Sequence, residues 1–258
     1  MSEKIDRRML LKATAAVLGA MPLAGCDLAS QDPTVRGILD SAEELTEAAQ
    51  RTLLSRQSLA REFPETAISK HFRANGSDNP DDGDYQRLAR SGFADWRLDV
   101  GGLVDHPLRL SLTDLRAMPS RTQITRHDCV EGWSCIGKWT GVPLGGVLQQ
   151  AGLKANARYI VFYCADTFGD SLDLPNKYYE SIDLVDAFHP QTILAYDMNG
   201  KPLEVPYGAP LRVRVERQLG YKMAKYVMRI EAVESFGHIG GGRGSFWADR
   251  GYEWYAGI

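Results

Sequence analysis

The stretch Gln123-Ile-Thr-Arg126-His-Asp-Cys129-Val-Glu-Gly-Trp-Ser134-Cys-Ile-Gly-Lys138-Trp-Thr-Gly-Val-Pro-Leu144 organises the reading of this chain. Gln123, Ile124 and Thr125 begin a strand that delivers Cys129. His127 lies two residues before the cysteine. On an extended backbone the two side chains share a face, so a Cys–His pair is open to them. Cys135 follows after a five-residue gap, which is not a zinc-knuckle spacing, and the chain contains no Cys-x-x-Cys. Three readings of Cys129 stand side by side: a disulfide with Cys135, a buried inert thiol, or a functional thiolate.

Outward from this stretch, the pattern is one of strands with short helical inserts. Residues 96–100 alternate like a strand, and Gly101-Gly102 turns it. Residues 111–118 read as a short helix with Ser111 or Thr113 as cap. Residues 144–151 read as another, closed by Gly152. Residues 159–164 form an apolar, β-prone run. Residues 192–198 and 211–215 are further strands, and Asn199-Gly200 is a strong hairpin signal. Residues 226–233 continue the sheet. This mixture predicts an α+β fold with a mixed β-sheet core.

The N-terminus has the zones of a secretory signal. Lys4, Arg7 and Arg8 precede a short apolar run, residues 9–23, interrupted by Lys12 and Thr14. A membrane span needs about 20 apolar residues. Asp6-Arg7-Arg8-Met9-Leu10-Leu11-Lys12 fits the twin-arginine pattern, which serves proteins exported already folded. Leu23-Ala-Gly-Cys26 looks like a lipobox, and Asp27 after it favours retention at the inner membrane. Residues 1–26 are therefore expected to be a twin-arginine signal with a lipobox. Residues 27–70 are expected to be a tether carrying a helix, with helical spacing over 32–62, and residues 71–258 the functional domain. The expected location is periplasmic or otherwise extracytoplasmic, with a lipid anchor. Thirty Lys and Arg against 33 Asp and Glu leave a net charge of −3, which gives no electrostatic case for nucleic acid. Beyond Cys26, three cysteines remain, an odd count for an oxidising compartment.

Several blocks, in one order, carry a family likeness. They are Cys129-Val-Glu-Gly-Trp-Ser134, Lys138-Trp-Thr-Gly-Val-Pro-Leu144, Leu194-Ala-Tyr-Asp-Met-Asn-Gly-Lys-Pro-Leu203, Gly208-Ala-Pro-Leu-Arg212 and Gly220-Tyr-Lys-Met-Ala-Lys225. Together they resemble the molybdopterin-binding domain of the sulfite oxidase family, in the manner of its bacterial branch of periplasmic protein-methionine-sulfoxide reductase catalytic subunits. The likeness covers most of residues 71–233. It implies a sulfite-oxidase-type fold and a molybdenum–molybdopterin cofactor (Moco) with Cys129 as the protein thiolate on the metal. A soft, donating sulfur suits a metal that cycles between oxidation states while exchanging an oxo group.

The same likeness assigns further roles. Arg212 and the 221–225 stretch, with Tyr221, Lys222 and above all Lys225, contact the cofactor phosphate. Arg73 lies near the oxo site and Asn75 near the pterin, in the segment Phe72-Arg-Ala-Asn-Gly76. Cys164 falls beside the pterin. Tyr207 stands where relatives carry Asn or His. Tyr178, in Tyr178-Tyr-Glu-Ser-Ile182, matches an active-site tyrosine. Arg214 and Arg217 read instead as a solvated strand face. The likeness implies oxygen-atom transfer to or from a small substrate or sulfoxide, with sulfite oxidation as the alternative. No haem-domain or C-terminal dimerisation-domain pattern is read in the sequence, so electrons are expected to pass to or from a separate cytochrome or membrane subunit, and the chain to act as a monomer or in a heterodimer. Two readings are of another class: a dithiol oxidoreductase using Cys129 and Cys135, which predicts no metal and a titratable dithiol, and a non-catalytic lipoprotein that binds a partner, which predicts an empty pocket.

Overall fold

The computed structural model describes residues 33–53, 55–168 and 177–258. Residues 1–26, with Arg7, Arg8 and Cys26, lie outside them. Contacts divide the chain after Leu53. The first unit presents one described helix, α1 (Pro33–Leu53), which opens on a proline as helices favour. Thr46 and Thr52 hydroxyls donate back to carbonyls four residues earlier, at 2.8 and 2.7 Å. No described helix is long and apolar enough to cross a membrane.

Helical spacing in the sequence runs on to residue 62, but α1 stops at Leu53 because the next residues have other partners. Phe63 N–H donates to Ile124 O at 2.9 Å, and Glu62 forms a bridge with Thr125. The Gln191 amide grips both backbone groups of Ala60, at 2.7 and 3.0 Å. Sheet pairing here overrides a local helical preference worth only tenths of a kcal/mol per residue, about 0.7 at most for ordinary residues.

Among its described residues the second unit holds ten strands: β1 (Leu98–Gly102), β2 (Leu108–Leu110), β3 (Arg121–Asp128), β4 (Ser134–Pro143), β5 (Tyr159–Thr167), β6 (Lys177–Asp183), β7 (Ile193–Met198), β8 (Lys201–Pro202), β9 (Arg212–Arg214) and β10 (Val227–Val233). Four short helices punctuate them: α2 (Gly83–Arg90), α3 (Leu112–Ala117), α4 (Leu144–Ala151) and α5 (Leu184–Ala187). One sheet runs β2-β1-β10-β5-β6, parallel at β1–β10 and antiparallel elsewhere, hence mixed. The other runs β3-β4-β7-β8, with β9 also on β7. This is the α+β class that the sequence predicts.

Local chemistry sets the turns. Ser111 and Asp114 cap α3 reciprocally, each side chain satisfying the other's backbone N–H. Asn199 and Gly200 both take positive φ, 52° and 78°, which closes the β7–β8 hairpin. A large apolar core joins Leu98, Ile160, Phe162, Ile182 and Ile230 of the first sheet with Leu194 and Val213 of the second. A smaller cluster around Phe72, Trp139 and Ile193 underlies the second.

Candidate active site

Strand β3 ends at Asp128, so Cys129 sits one residue beyond it, in the β3–β4 loop. Its N–H donates to Trp133 O at 2.9 Å, which pins the loop and presents the thiol at the wall of a cavity of about 120 Å³. Asn75 and Gly76 line the same cavity from the segment before α2. Asp166 and Phe168 reach it from the end of β5, and Tyr178 from the start of β6. Tyr221, Met223 and Lys225 come from the turn before β10, and Trp247 and Tyr252 from the C-terminal segment. Five sequence-assigned residues therefore meet here: Cys129, Asn75, Tyr178, Tyr221 and Lys225.

The other assigned residues lie elsewhere. Arg73 is exposed, 3.7 Å from Glu131, with its guanidinium 5.3 Å from the Trp133 ring centre. Glu131 and Val130, beside Cys129, line the cavity. Arg212 is fully buried and donates to Tyr207 O at 2.9 Å. It does not line the cavity but lies close behind Lys225. A Cβ added to Gly208, which holds φ 108°, would come 3.0 Å from the Lys225 stem and 3.1 Å from that of Arg212. Only glycine lets these two cationic stems approach so closely there. Lys222 is turned away and paired with Glu180, both fully buried. Tyr207 lines a second hollow, with Ser69, His71 and Lys201, and donates to Phe72 O at 3.1 Å. Cys164 is buried and lines a third, with Tyr163 and Met228.

The described cysteines Cys129, Cys135 and Cys164 are all free, so no Cys129–Cys135 disulfide is present. No Cys–His pair forms either. His127 points inward, where Arg214 Nη1 donates to its Nδ1 at 3.0 Å. An arginine has only donors, so this contact makes Nδ1 an acceptor. Burial first, then the charges of Arg214, Arg212 and Lys225, hold the imidazole neutral, its pKa well below the usual value. Arg214 also differs from the solvated face read in the sequence. It is fully buried and forms a fork with Glu216, with bonds of 2.9 and 2.7 Å. Arg217 pairs with Asp186 at 2.8 Å.

Burial pushes the Cys129 thiol up, with the Glu131 carboxylate adding to the rise and backbone N–H groups and Arg73 opposing it. Burial lifts Asp166 to about 6 against the opposing Ser77 hydroxyl and Lys225. Lys225 falls to about 7, through burial and then the Arg212 charge. Arg212 falls to about 9, through burial and then Arg214. Among the described residues, Lys225 Nζ donates only to carbonyls, Ser77 O and Pro206 O. Asn75 Oδ1, Asp166 Oδ1 and Arg212 Nε are buried with no hydrogen-bond partner among the described residues. Native interiors rarely leave such groups unsatisfied.

Asp166 is the chief residue that motif reading missed. A charged residue inside the apolar run 159–167, on the face of Cys164, was the available signal. Glu216 was equally legible, since Arg212, Arg214 and Glu216 alternate onto one face.

Residues 83–236 match the oxidoreductase molybdopterin binding domain family, which takes in most of the two sheets and the cavity wall. The chain belongs to that family. It is a molybdopterin-binding oxidoreductase. The Azospira oryzae chain YedZ1, provisionally named as a protein-methionine-sulfoxide reductase subunit, is 35% identical over 97% of this chain and 87% of its own length. The protein-methionine-sulfoxide reductase catalytic subunit MsrP of Xanthomonas axonopodis is 33% identical over 89% of this chain and 70% of its own. Among solved structures, the sulfane dehydrogenase SoxCD of Paracoccus pantotrophus overlays at a TM-score of 0.48 and 22% identity, covering 70% of this chain and 46% of that one.

Proposed function

We propose that this oxidoreductase reduces sulfoxides, with Cys129 as its protein ligand to molybdenum. The observation that carries this is the donor set around one cavity. A thiol in its wall is joined by two buried acceptors, Asn75 Oδ1 and Asp166 Oδ1, and by a buried lysine, which among the described residues have no hydrogen-bond partner and no carboxylate respectively. That set fits a molybdenum–pterin group. The sulfur suits a soft metal, the acceptors suit the N–H edge of a pterin, and Lys225 with Arg212 behind it suits a phosphate. The sulfoxide-reductase names of the relatives support the same reading.

When bound, the group supplies a two-electron centre for exchange of an oxygen atom. The chain's own residues do the rest. Cys129 would hold the metal as a thiolate, and the metal's charge would offset the cost of burying that thiolate. Tyr178 holds a hydroxyl at the cavity wall and can move a proton to a departing oxygen. Phe168, Trp247 and Tyr252 exclude water around the reacting atoms. Arg73, at the rim, would favour an anion such as sulfite, but Glu131 offsets its charge. A neutral sulfoxide suits that balance better.

Electrons would come from a separate cytochrome or membrane subunit. Twin-arginine export, a lipid anchor on Cys26 and a periplasmic site belong to the same proposal, supported by the N-terminal sequence pattern. Cys164, Tyr207 and Lys222 enter it only as residues packed around the cofactor region. The test is purification from a cofactor-competent host. Molybdenum and released pterin are measured, X-ray absorption seeks a protein sulfur on the metal, and sulfoxides are compared with sulfite using an artificial electron carrier. Turnover of sulfite alone would overturn the substrate assignment, and absence of molybdenum would overturn the whole reading.

A further inference from the structure

One carbonyl behind the cavity wall collects two side chains that an extended backbone would send apart. Lys225 and Tyr226 are consecutive, and neighbours on a strand point to opposite faces. Here the Lys225 ammonium and the Tyr226 hydroxyl both donate to Ser77 O, the latter at 3.0 Å. The backbone departs from the strand pattern to allow it. Tyr226 takes φ 56°, a left-handed conformation that a bulky aromatic residue rarely adopts. The same serine also acts through its side chain, whose hydroxyl donates to Asp166 Oδ2 at 2.8 Å. Ser77 therefore ties the end of β5 and the turn before β10 to the segment that carries Asn75 and Gly76 into the cavity wall.

Counting donors and acceptors gives what these ties leave over. An ammonium has three protons. Ser77 O and Pro206 O take two of those of Lys225, and among the described residues the third has no acceptor. A carboxylate has two oxygens. Ser77 satisfies Asp166 Oδ2, and Oδ1 stays buried with no partner among the described residues. Asn75 Oδ1, two residues before Ser77, is in the same condition. Asn75, Asp166 and Lys225 all line the cavity.

We infer that Ser77 is a positioning residue for the cofactor: its hydroxyl and carbonyl hold Asp166 and Lys225 so that one carboxylate oxygen and one ammonium proton stay available to the pterin and its phosphate. This rests on the cofactor assignment proposed above. Ser77 touches no reacting atom and acts through its two partners. The last torsion of an aspartate is broad, so a carboxylate without this hydroxyl would turn freely. The long lysine stem has many rotamers, and two carbonyls restrict them before the cofactor arrives. Less entropy is then lost on binding.

The test is the rate at which pterin leaves the molybdenum-loaded enzyme, followed by the fluorescence of the released pterin. Ser77→Ala removes the hydroxyl alone and should speed release by about 10-fold, the scale of one hydrogen bond to a charged group. Ser77→Thr keeps a hydroxyl and should restore slow release. Asp166→Ala should release faster still. Adding Ser77→Ala to it should change nothing further, because the hydroxyl then has no carboxylate to hold. A role confined to folding would instead give two independent factors that multiply. Ser77→Cys, of similar shape with a weaker donor, takes the place of Ser77→Ala if that variant does not fold. Release from S77A at the wild-type rate, or S77A and D166A factors that multiply in full, overturns this inference alone. A wild type that carries no pterin overturns the proposed function, and the positioning role with it.

Discussion

Strand β9 carries two arginines, and the turn after it two lysines, and in each pair one cation is satisfied and the other is not. Arg214 forks onto Glu216, and Lys222 onto Glu180. Among the described residues, Arg212 and Lys225 have no carboxylate; they donate to carbonyls, and Arg212 shares the Trp139 ring with Arg214 at 4.9 and 4.4 Å. All four are buried. Burying a cation is costly unless it is paired. Two of the four are paired and two are left near the cavity, which is the arrangement the proposed phosphate contact of Arg212 and Lys225 requires. The difference separates what holds the fold together from what the fold holds.

The largest effect expected concerns the thiol between these regions. Cys129→Ser should leave thermal unfolding close to wild type, because the side chain is only half-buried and nearly unchanged in volume. Turnover should fall by at least about a thousand-fold, the scale seen when a reaction-centre group is removed. Full activity with full molybdenum in this variant would sever the site from its chemistry.

Exchanging each arginine for methionine tests the comparison itself. Arg214→Met strands Glu216 in the interior and removes the donor to His127, so urea unfolding of the metal-free protein should lose about 3–5 kcal/mol. Arg212→Met strands no charge, and the same measurement should lose less than about 1 kcal/mol. Cofactor retention should run the other way after desalting, with Arg212→Met losing the pterin and molybdenum. Equal stability losses at the two positions would erase the distinction.

A pH titration of metal-free stability sharpens it further. Asp166 and Glu180 are raised in the fold to about 6 and about 7, from unfolded values near 4. These two groups bind more protons in the fold than in the unfolded chain between these values, so they lower stability as pH rises from about 4 to about 7, while His127, held neutral in the fold, contributes with the opposite sign below about 6.5. Lys225 is depressed to about 7 from about 10.4, so the unfolded chain holds more protons above neutrality, and stability climbs from about 7 towards 10. Lys225→Met should flatten the alkaline rise and leave the acidic fall.

How much of this the sequence disclosed follows from the kind of force involved. Strand alternation is local, so the face shared by Arg212 and Arg214 was legible, as were the Ser111 cap and the Asn199-Gly200 hairpin. Pairing across the fold is not local. Nothing near Lys222 announces Glu180, 42 residues away in sequence, so a lysine in a phosphate-binding block read as a ligand contact while the structure binds it inward. The helix that ends at Leu53 rather than continuing to 62 has the same cause, because its continuation is taken by an edge strand about 60 residues further on.

The smallest effect expected is at the rim, where Arg73 and Glu131 are more than half exposed. Water and salt screen such a pair, so removing it changes encounter rather than fold. Glu131→Gln leaves Arg73 a net positive charge beside the cavity mouth. The KM for anionic sulfite, or its inhibition constant, should drop a few-fold at low salt, on the order of the tenths of a kcal/mol that exposed pairs are worth. Neutral sulfoxides should bind as before, and added salt should abolish the difference. Arg73→Gln should raise the sulfite constant instead. A shift shared equally by neutral and anionic substrates would mean that the pair shapes the mouth and does not set its charge.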